Sequence, residues 1–171
     1  LIHSVKENAV LPKIKQLRKH GFFIDEKKAD QIVEDNVRKL NIVTDDIHKR
    51  INLLSGGNQQ KVVIAKWMSI SPQLLILDEA TNGLDPVVRD EILDLFNDFT
   101  RDENHSILIS SHIVGDLEKL CDYIAFIQKG RLIICGEKDQ MLEAYGILKC
   151  SEEELEELDQ QAVAGIRDYG Y

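Results

Sequence analysis

Apolar positions along the chain change their period from one segment to the next. Ala29, Ile32, Val33, Val37 and Leu40 recur three and four residues apart. That spacing predicts a helix with one buried stripe, capped by Asp25. Residues 41–53 hold no sustained period and read as a connector. A second helix is predicted from Asn58 to about Ser69, turning Val63, Ile64, Trp67 and Met68 toward a core, and Pro72 closes the segment. Leu74 to Leu77 is then an unbroken apolar run, the pattern of a strand buried on both faces of a parallel sheet.

Asp85-Pro86 opens the next helix, with Asp as N-cap and Pro at the first helical position. Its core stripe is Val88, Ile92, Leu95, Phe96 and Phe99. Ser106 to Ser110 reads as a second strand, and a helix carrying Val114, Leu117 and Leu120 comes after it. Tyr123 to Ile127 is a third strand. Lys129-Gly130 makes a tight turn into Arg131 to Cys135, a hairpin that closes this part of the sheet. Strand, helix, strand, helix, strand is an α/β pattern with right-handed crossovers. Near the end, Ser151-Glu152-Glu153-Glu154 forms a capping box before Leu155 and Leu158, an appended short helix. The expected divisions are 1–70, mostly helical; 71–145, α/β; and 146–171, an acidic helix and tail.

At 171 residues with 43% apolar content, the chain is long enough to bury a core. The net charge of −9 argues against a broad nucleic-acid-binding face. No run approaches the roughly 18 apolar residues of a membrane span, and no leader pattern precedes the first helix. The expectation is a cytoplasmic protein that reaches a membrane only through partners. Cys121, Cys135 and Cys150 are odd in number and form no metal-ligand spacing, so they read as reduced thiols. Lys13, Lys15, Arg18, Lys19 and His20, just before Gly21, read as a solvated helix face.

Three motifs carry chemistry. A strand ending in Asp78-Glu79 delivers two carboxylates to the carboxyl edge of a sheet, where ligands of open parallel sheets sit. Neighbouring residues point apart, so their roles can differ. Asp78 suits a water-mediated hold on Mg²⁺, and Glu79 suits a general base acting on water. Leu54-Ser55-Gly56-Gly57-Asn58-Gln59-Gln60 places a hydroxyl, two glycines and free N–H groups at the positive end of a helix, a setting for phosphate. His112 follows the second strand and is placed to bond a γ-phosphate oxygen. No G-x-x-x-x-G-K-[ST] phosphate loop occurs anywhere in the 171 residues.

In order and spacing these residues resemble the ATP-binding cassette (ABC) ATPases of transporters. Leu54 to Gly57 is similar to their signature motif, Leu74 to Glu79 to the Walker B strand, Thr81-Asn82-Gly83-Leu84-Asp85 to the D-loop and Ser111-His112 to the switch histidine. Leu54 to Lys61 looks like carbohydrate-importer ATPases, whereas residues 74–158 look more like small ABC-2-type exporter ATPases. Ala80 stands where the family commonly has proline. The resemblance implies a P-loop NTPase-like parallel sheet with flanking helices and an α-helical subdomain, here lacking the phosphate-loop half. On that basis 1–70 is the helical subdomain through the signature helix, 71–145 the C-terminal half of the ATPase core and 146–171 an appended helix and tail. It implies ATP and Mg²⁺ as ligands, with Glu79 and His112 catalytic and Asp78 at the metal. Ser55, Gly56, Gly57, Asn58, Gln59 and Asp85 would contact nucleotide. The implied partners are a second ABC ATPase subunit and transmembrane permease subunits, with the chain peripheral on the inner face of the cell membrane. The alternative is a non-catalytic cassette fragment that lends its signature motif in trans. Without a phosphate loop, these 171 residues alone are expected to hydrolyse ATP very weakly or not at all.

Overall fold

Two compact units divide the chain, Leu1–Cys121 and Asp122–Tyr171. The computed structural model describes residues 3–19, 23–159, 162–163 and 165, so His20, Gly21 and most of the tail beyond Asp159 lie outside the described residues.

The first unit begins with helix α1 (Val5–Val10), set by a capping box: Glu7 N–H donates to Ser4 Oγ at 3.1 Å and Ser4 N–H donates to Glu7 Oε2 at 2.7 Å. Pro12 sits in the 3₁₀ turn Leu11–Lys13, where α1 gives way because proline offers no N–H to continue it. Strands β1 (Arg18–Lys19) and β2 (Phe23–Ile24) then pair antiparallel. The basic cluster is therefore not a helix face. Lys13 closes the 3₁₀ turn, Arg18 and Lys19 lie on β1, and Lys19 Nζ is 2.9 Å from Asp25 Oδ2.

Helix α2 (Glu26–Lys39) is the predicted amphipathic helix, with Asp25 capping Lys28 N–H. Ala29 and Val33 are fully buried. Its end is a Schellman motif: Ile42 N–H reaches Val37 C=O at 2.9 Å and Asn41 N–H reaches Arg38 C=O at 3.3 Å, with Asn41 left-handed at φ 47°. The connector is not solvated throughout, because Ile42 and Ile51 are buried with α1 and α2 in one apolar cluster.

Helix α3 (Gly56–Met68) buries Lys61, Val62, Ile64 and Ala65. Trp67, expected inside, is 47% exposed, and the Lys66 ammonium lies 5.0 Å from its ring centroid. The buried stripe thus runs one position off the predicted one. The reason is Lys61, whose ammonium is satisfied inside by Asn41 C=O at 3.0 Å and Glu91 Oε2 at 2.6 Å.

Strand β3 (Leu74–Asp78), helix α4 (Pro86–Thr100) and strand β4 (Ser106–Ser110) form a βαβ unit. The strands are parallel, in register from Leu74↔Ser106 to Asp78↔Ser110. Asp85 caps α4 and Pro86 occupies its first turn, as the sequence predicts. Ile92, Leu93, Phe96 and Phe99 form a second core with Ile64 and Leu75, against which Leu77, Ile107 and Ile109 pack. The other sheet face is open: Leu74, Ile76 and Leu108 are 52–69% exposed. The expected two-sided burial is therefore not met, because helices cover one face only among the described residues. Helix α5 (Val114–Leu120) completes the unit, with Val114 exposed rather than in the core.

In the second unit, β5 (Tyr123–Gln128) and β6 (Arg131–Glu137) make the predicted hairpin. Lys129 at φ 51° and Gly130 at φ 73° give the two left-handed residues that a two-residue turn of matching twist needs. The register shifts between Phe126 and Ile127, a bulge. The hairpin is a separate two-stranded sheet, not a continuation of β3–β4 as expected. Helices α6 (Lys138–Ala144) and α7 (Glu152–Glu156) follow, α7 with the predicted Ser151–Glu154 capping box. Cys121, Cys135 and Cys150 form no disulfide among the described residues.

Two predictions follow from the packing and the caps. Phe96→Ala should lower stability by about 3–5 kcal/mol, the range for a buried phenylalanine, while Val114→Ala stays within about 0.5 kcal/mol; urea unfolding measures both. The Ser4 backbone N–H and hydroxyl hold the Glu7 carboxyl below its ordinary 4.5. The Lys19 ammonium, with the Lys28 N–H, holds Asp25 below 3.8. Both folded values are depressed, so this stabilisation is complete above the ordinary values and is lost as pH falls through the lowered ones. The urea midpoint should therefore drop in acid, and Glu7→Gln with Asp25→Asn should flatten that drop. An unchanged slope in the double variant contradicts the assignment.

Candidate functional site

The parallel register sets the site, because it brings the last residue of β3 beside the last residue of β4. Ser110 Oγ donates a hydrogen bond to Asp78 Oδ1. Glu79 steps out of the strand with φ +45°, a left-handed conformation uncommon for a side-chain-bearing residue. Its N–H donates to Ser110 C=O at 3.0 Å, which carries the ladder one residue past the strand. The carboxylate of Glu79 is gripped at both oxygens. His112 Nδ1 lies 3.2 Å from Oε1, and Asn82 Nδ2 donates to Oε2 at 2.7 Å. Asp78, Glu79 and His112 are all exposed, open to a ligand arriving at the carboxyl edge of the sheet.

The glycine segment sits on the neighbouring helix end. Ser55 is the N-cap of α3, and its Oγ accepts from Asn58 N–H at 3.5 Å and from Asn58 Nδ2 at 2.8 Å. The other end of the Asn58 amide accepts Val43 N–H at 2.8 Å, which moors the connector to the cap. Gln59 Nε2 donates to Leu54 C=O at 2.8 Å. Gln60 Nε2 reaches Ala80 C=O at 2.9 Å and so joins the first turn of α3 to the residue after Glu79. Asp85 Oδ1 accepts Val87 N–H at 2.9 Å at the start of α4.

The two glycines differ. A Cβ on Gly57 would lie 2.6 Å from Val88 Cγ1 on α4, a stiff β-branched side chain. A Cβ on Gly56 would meet nothing within 4 Å. Packing inside the chain therefore accounts for Gly57 and leaves Gly56 facing open space.

Asp78, Glu79 and His112 thus come together as one cluster. Ser55 to Gln59 form a second group on α3, and Asp85 caps α4. Sequence reasoning placed Asn82 in the D-loop resemblance and Gln60 in the glycine segment, and gave neither of them, nor Ser110, a part of its own in the carboxylate site. The signal for Ser110 was available, since pairing two equal five-residue strands in parallel puts it opposite Asp78. Asn82 and Gln60 act through side-chain reach around turns, which no periodicity encodes. A lone Asp78 carboxylate with one oxygen committed to Ser110 suits a hard cation that keeps most of its waters. Among the described residues no group of three or more His, Cys, Asp or Glu side chains forms a denser metal cage.

Residues 2–82 match the family model described as ABC transporter. Over this span the chain is similar to the ATP-binding domains of ABC transporters. Over 129 residues it is 40% identical to the ribose import ATP-binding protein RbsA of Lactococcus lactis, an alignment that takes in 75% of this chain and 26% of that protein. The chain thus spans about a quarter of the length of the curated relative it matches. An ATP-binding cassette solved as a post-hydrolysis dimer with ADP and phosphate superposes with a TM-score of 0.68 at 19% identity, over 79% of this chain and 56% of that one. An inward-facing ABC transporter described as of metal-chelate type gives a TM-score of 0.69 at 21% identity, over 83% of this chain and 55% of that one. At such identities the structural likeness shows the fold, a partial P-loop NTPase-like cassette with its strands and flanking helices.

The glycine contrast gives a prediction. Gly57→Ala should cost about 1–3 kcal/mol by overpacking against Val88. Gly56→Ala should leave stability unchanged or raise it by about 0.4–1 kcal/mol through the unfolded chain. Thermal unfolding of the two variants checks the order, and equal losses would contradict it.

Proposed function

We propose that the chain is the C-terminal part of an ATP-hydrolysing cassette that energises transport through separate transmembrane permease subunits. The observation that carries this reading is the cluster at the ends of β3 and β4, where Glu79 stands between His112 and Asn82 beside Asp78. In the reaction, water adds to the γ-phosphorus while the bond from that phosphorus to the bridging oxygen breaks and ADP leaves. Glu79 orients the water and accepts its proton. His112 bonds a γ-phosphate oxygen and steadies the carboxylate. Asp78 would hold Mg²⁺ through water, and the ion would supply neutralisation of phosphate charge.

Ser55, Gly56 and Gly57, with Asn58, Gln59 and Asp85 around them, form the surface that meets nucleotide held by a second cassette subunit. The exposed Ser55 hydroxyl and the empty space over Gly56 support that direction. The 40% identity to a ribose import protein favours the importer class and a sugar as cargo. The cassette would sit peripherally on the cytoplasmic face of the cell membrane; among the described residues no helix is long and apolar enough to cross one.

Two measurements test the reading. In a full-length chain carrying this segment and a phosphate loop, Glu79→Gln should abolish steady-state ATP hydrolysis while nucleotide still binds. Turnover near the parent rate in that variant removes Glu79 from the role of base. The 171-residue segment by itself should show no ATPase activity above background, since the backbone cradle for the β- and γ-phosphates is missing from its sequence.

A further inference from the structure

The turn joining β3 to α4 is anchored at its buried side and touches Glu79 at its open side. Thr81 is fully buried, and its hydroxyl donates to Asp116 Oδ2 at 2.6 Å, with Asp116 itself 4% exposed. Asp116 lies in the first turn of α5, four residues after His112. The turn is tightened by Asn82 N–H to Glu79 C=O at 3.1 Å, by Gly83 at φ 68° and by Arg89 Nη2 to Leu84 C=O at 3.3 Å. The Asn82 side chain therefore starts from a fixed backbone, and its amide donates to Glu79 Oε2 at 2.7 Å. On the opposite oxygen stands His112, carried by the segment that also holds Asp116. The Thr81–Asp116 bond thus sets the span between the two groups that grip Glu79.

We infer that Asn82 is a positioning residue for Glu79. Its amide fixes one carboxylate oxygen, and so the rotation of the carboxylate plane, which leaves the His112-facing oxygen to meet water. The inference rests on Glu79 acting as the base of ATP hydrolysis. A free carboxylate would rotate about its last torsion, and loss of alignment by an ångström costs on the order of 100-fold in rate. The required chemistry at position 82 is a donor. An aspartate of the same shape supplies none and sets a like charge against Glu79.

The test uses substitutions whose order separates positioning from turn stability. In the full-length cassette, Asn82→Ala should lower kcat about 10- to 100-fold with the KM for ATP unchanged. Asn82→Asp, the milder change for the shape of the turn, should lower kcat further than alanine does. If aspartate retains more activity than alanine, or if KM rises while kcat holds, the positioning role is overturned. An inactive parent cassette instead overturns the proposed function, and a second readout then judges the contact alone. In the 171-residue chain, the Asn82 side-chain amide resonances should shift on Glu79→Gln, because that substitution replaces the acceptor of their hydrogen bond. Amide resonances indifferent to Glu79→Gln would show that the contact does not exist.

Discussion

Parallel pairing of β3 with β4 is the constraint on which the rest of the first unit depends. Two parallel strands cannot be joined by a tight turn; a crossover must carry the chain back to the starting end. Here α4 is the crossover, and its Ile92, Leu93, Phe96 and Phe99 are the apolar mass that holds the strands side by side. The register that results places Asp78 opposite Ser110 and lets Glu79 N–H continue the ladder onto Ser110 C=O. Slip the pairing by one residue and every side chain changes face. Asp78 would lose Ser110, and Glu79 would no longer meet His112.

A second set of contacts ties the helical part to this unit, and it runs through polar atoms. The Schellman end of α2 turns Asn41 into a left-handed residue and leaves its carbonyl to Lys61. Lys61 in turn grips Glu91 on α4, and Asn58 holds the connector at Val43. A buried ammonium is costly unless its donors are met, so Lys61 constrains α2, α3 and α4 together. The placement of Ser55 at the head of α3 follows from that bracing, as does the tight approach of Gly57 to Val88.

Much of this was legible in the residues. Asp25, Asp85-Pro86, Lys129-Gly130 and the Ser151–Glu154 box each announced a boundary because capping and turn chemistry are local. Strands 74–78 and 106–110 were readable from apolar runs, and the carboxylates and His112 from their place at strand ends. What stayed hidden depends on contacts made across space. Trp67 reads as core by composition, yet Lys61 takes the interior place because two acceptors 20 and 30 residues away await it. The open face of Ile76 and Leu108 was equally out of reach, since an apolar run reports a preference for cover and not whether cover is supplied. Asn82 went unread as a partner of Glu79 because a reach around a turn leaves no period in the chain.

The difference between the two sheets also orders events in time. Gln128 and Arg131 meet across a two-residue turn, so the β5–β6 hairpin needs almost no loop closure and can form in about 1–10 μs. Each β3 residue pairs with one 32 positions later, as in Leu74 with Ser106, and must wait until α4 has formed and packed. Asp78 and Ser110 are the last rung of that ladder. The carboxylate cluster is therefore a late product of folding, assembled only once the crossover is in place. A chain caught before that moment can carry most of its helices and its hairpin and still have no site.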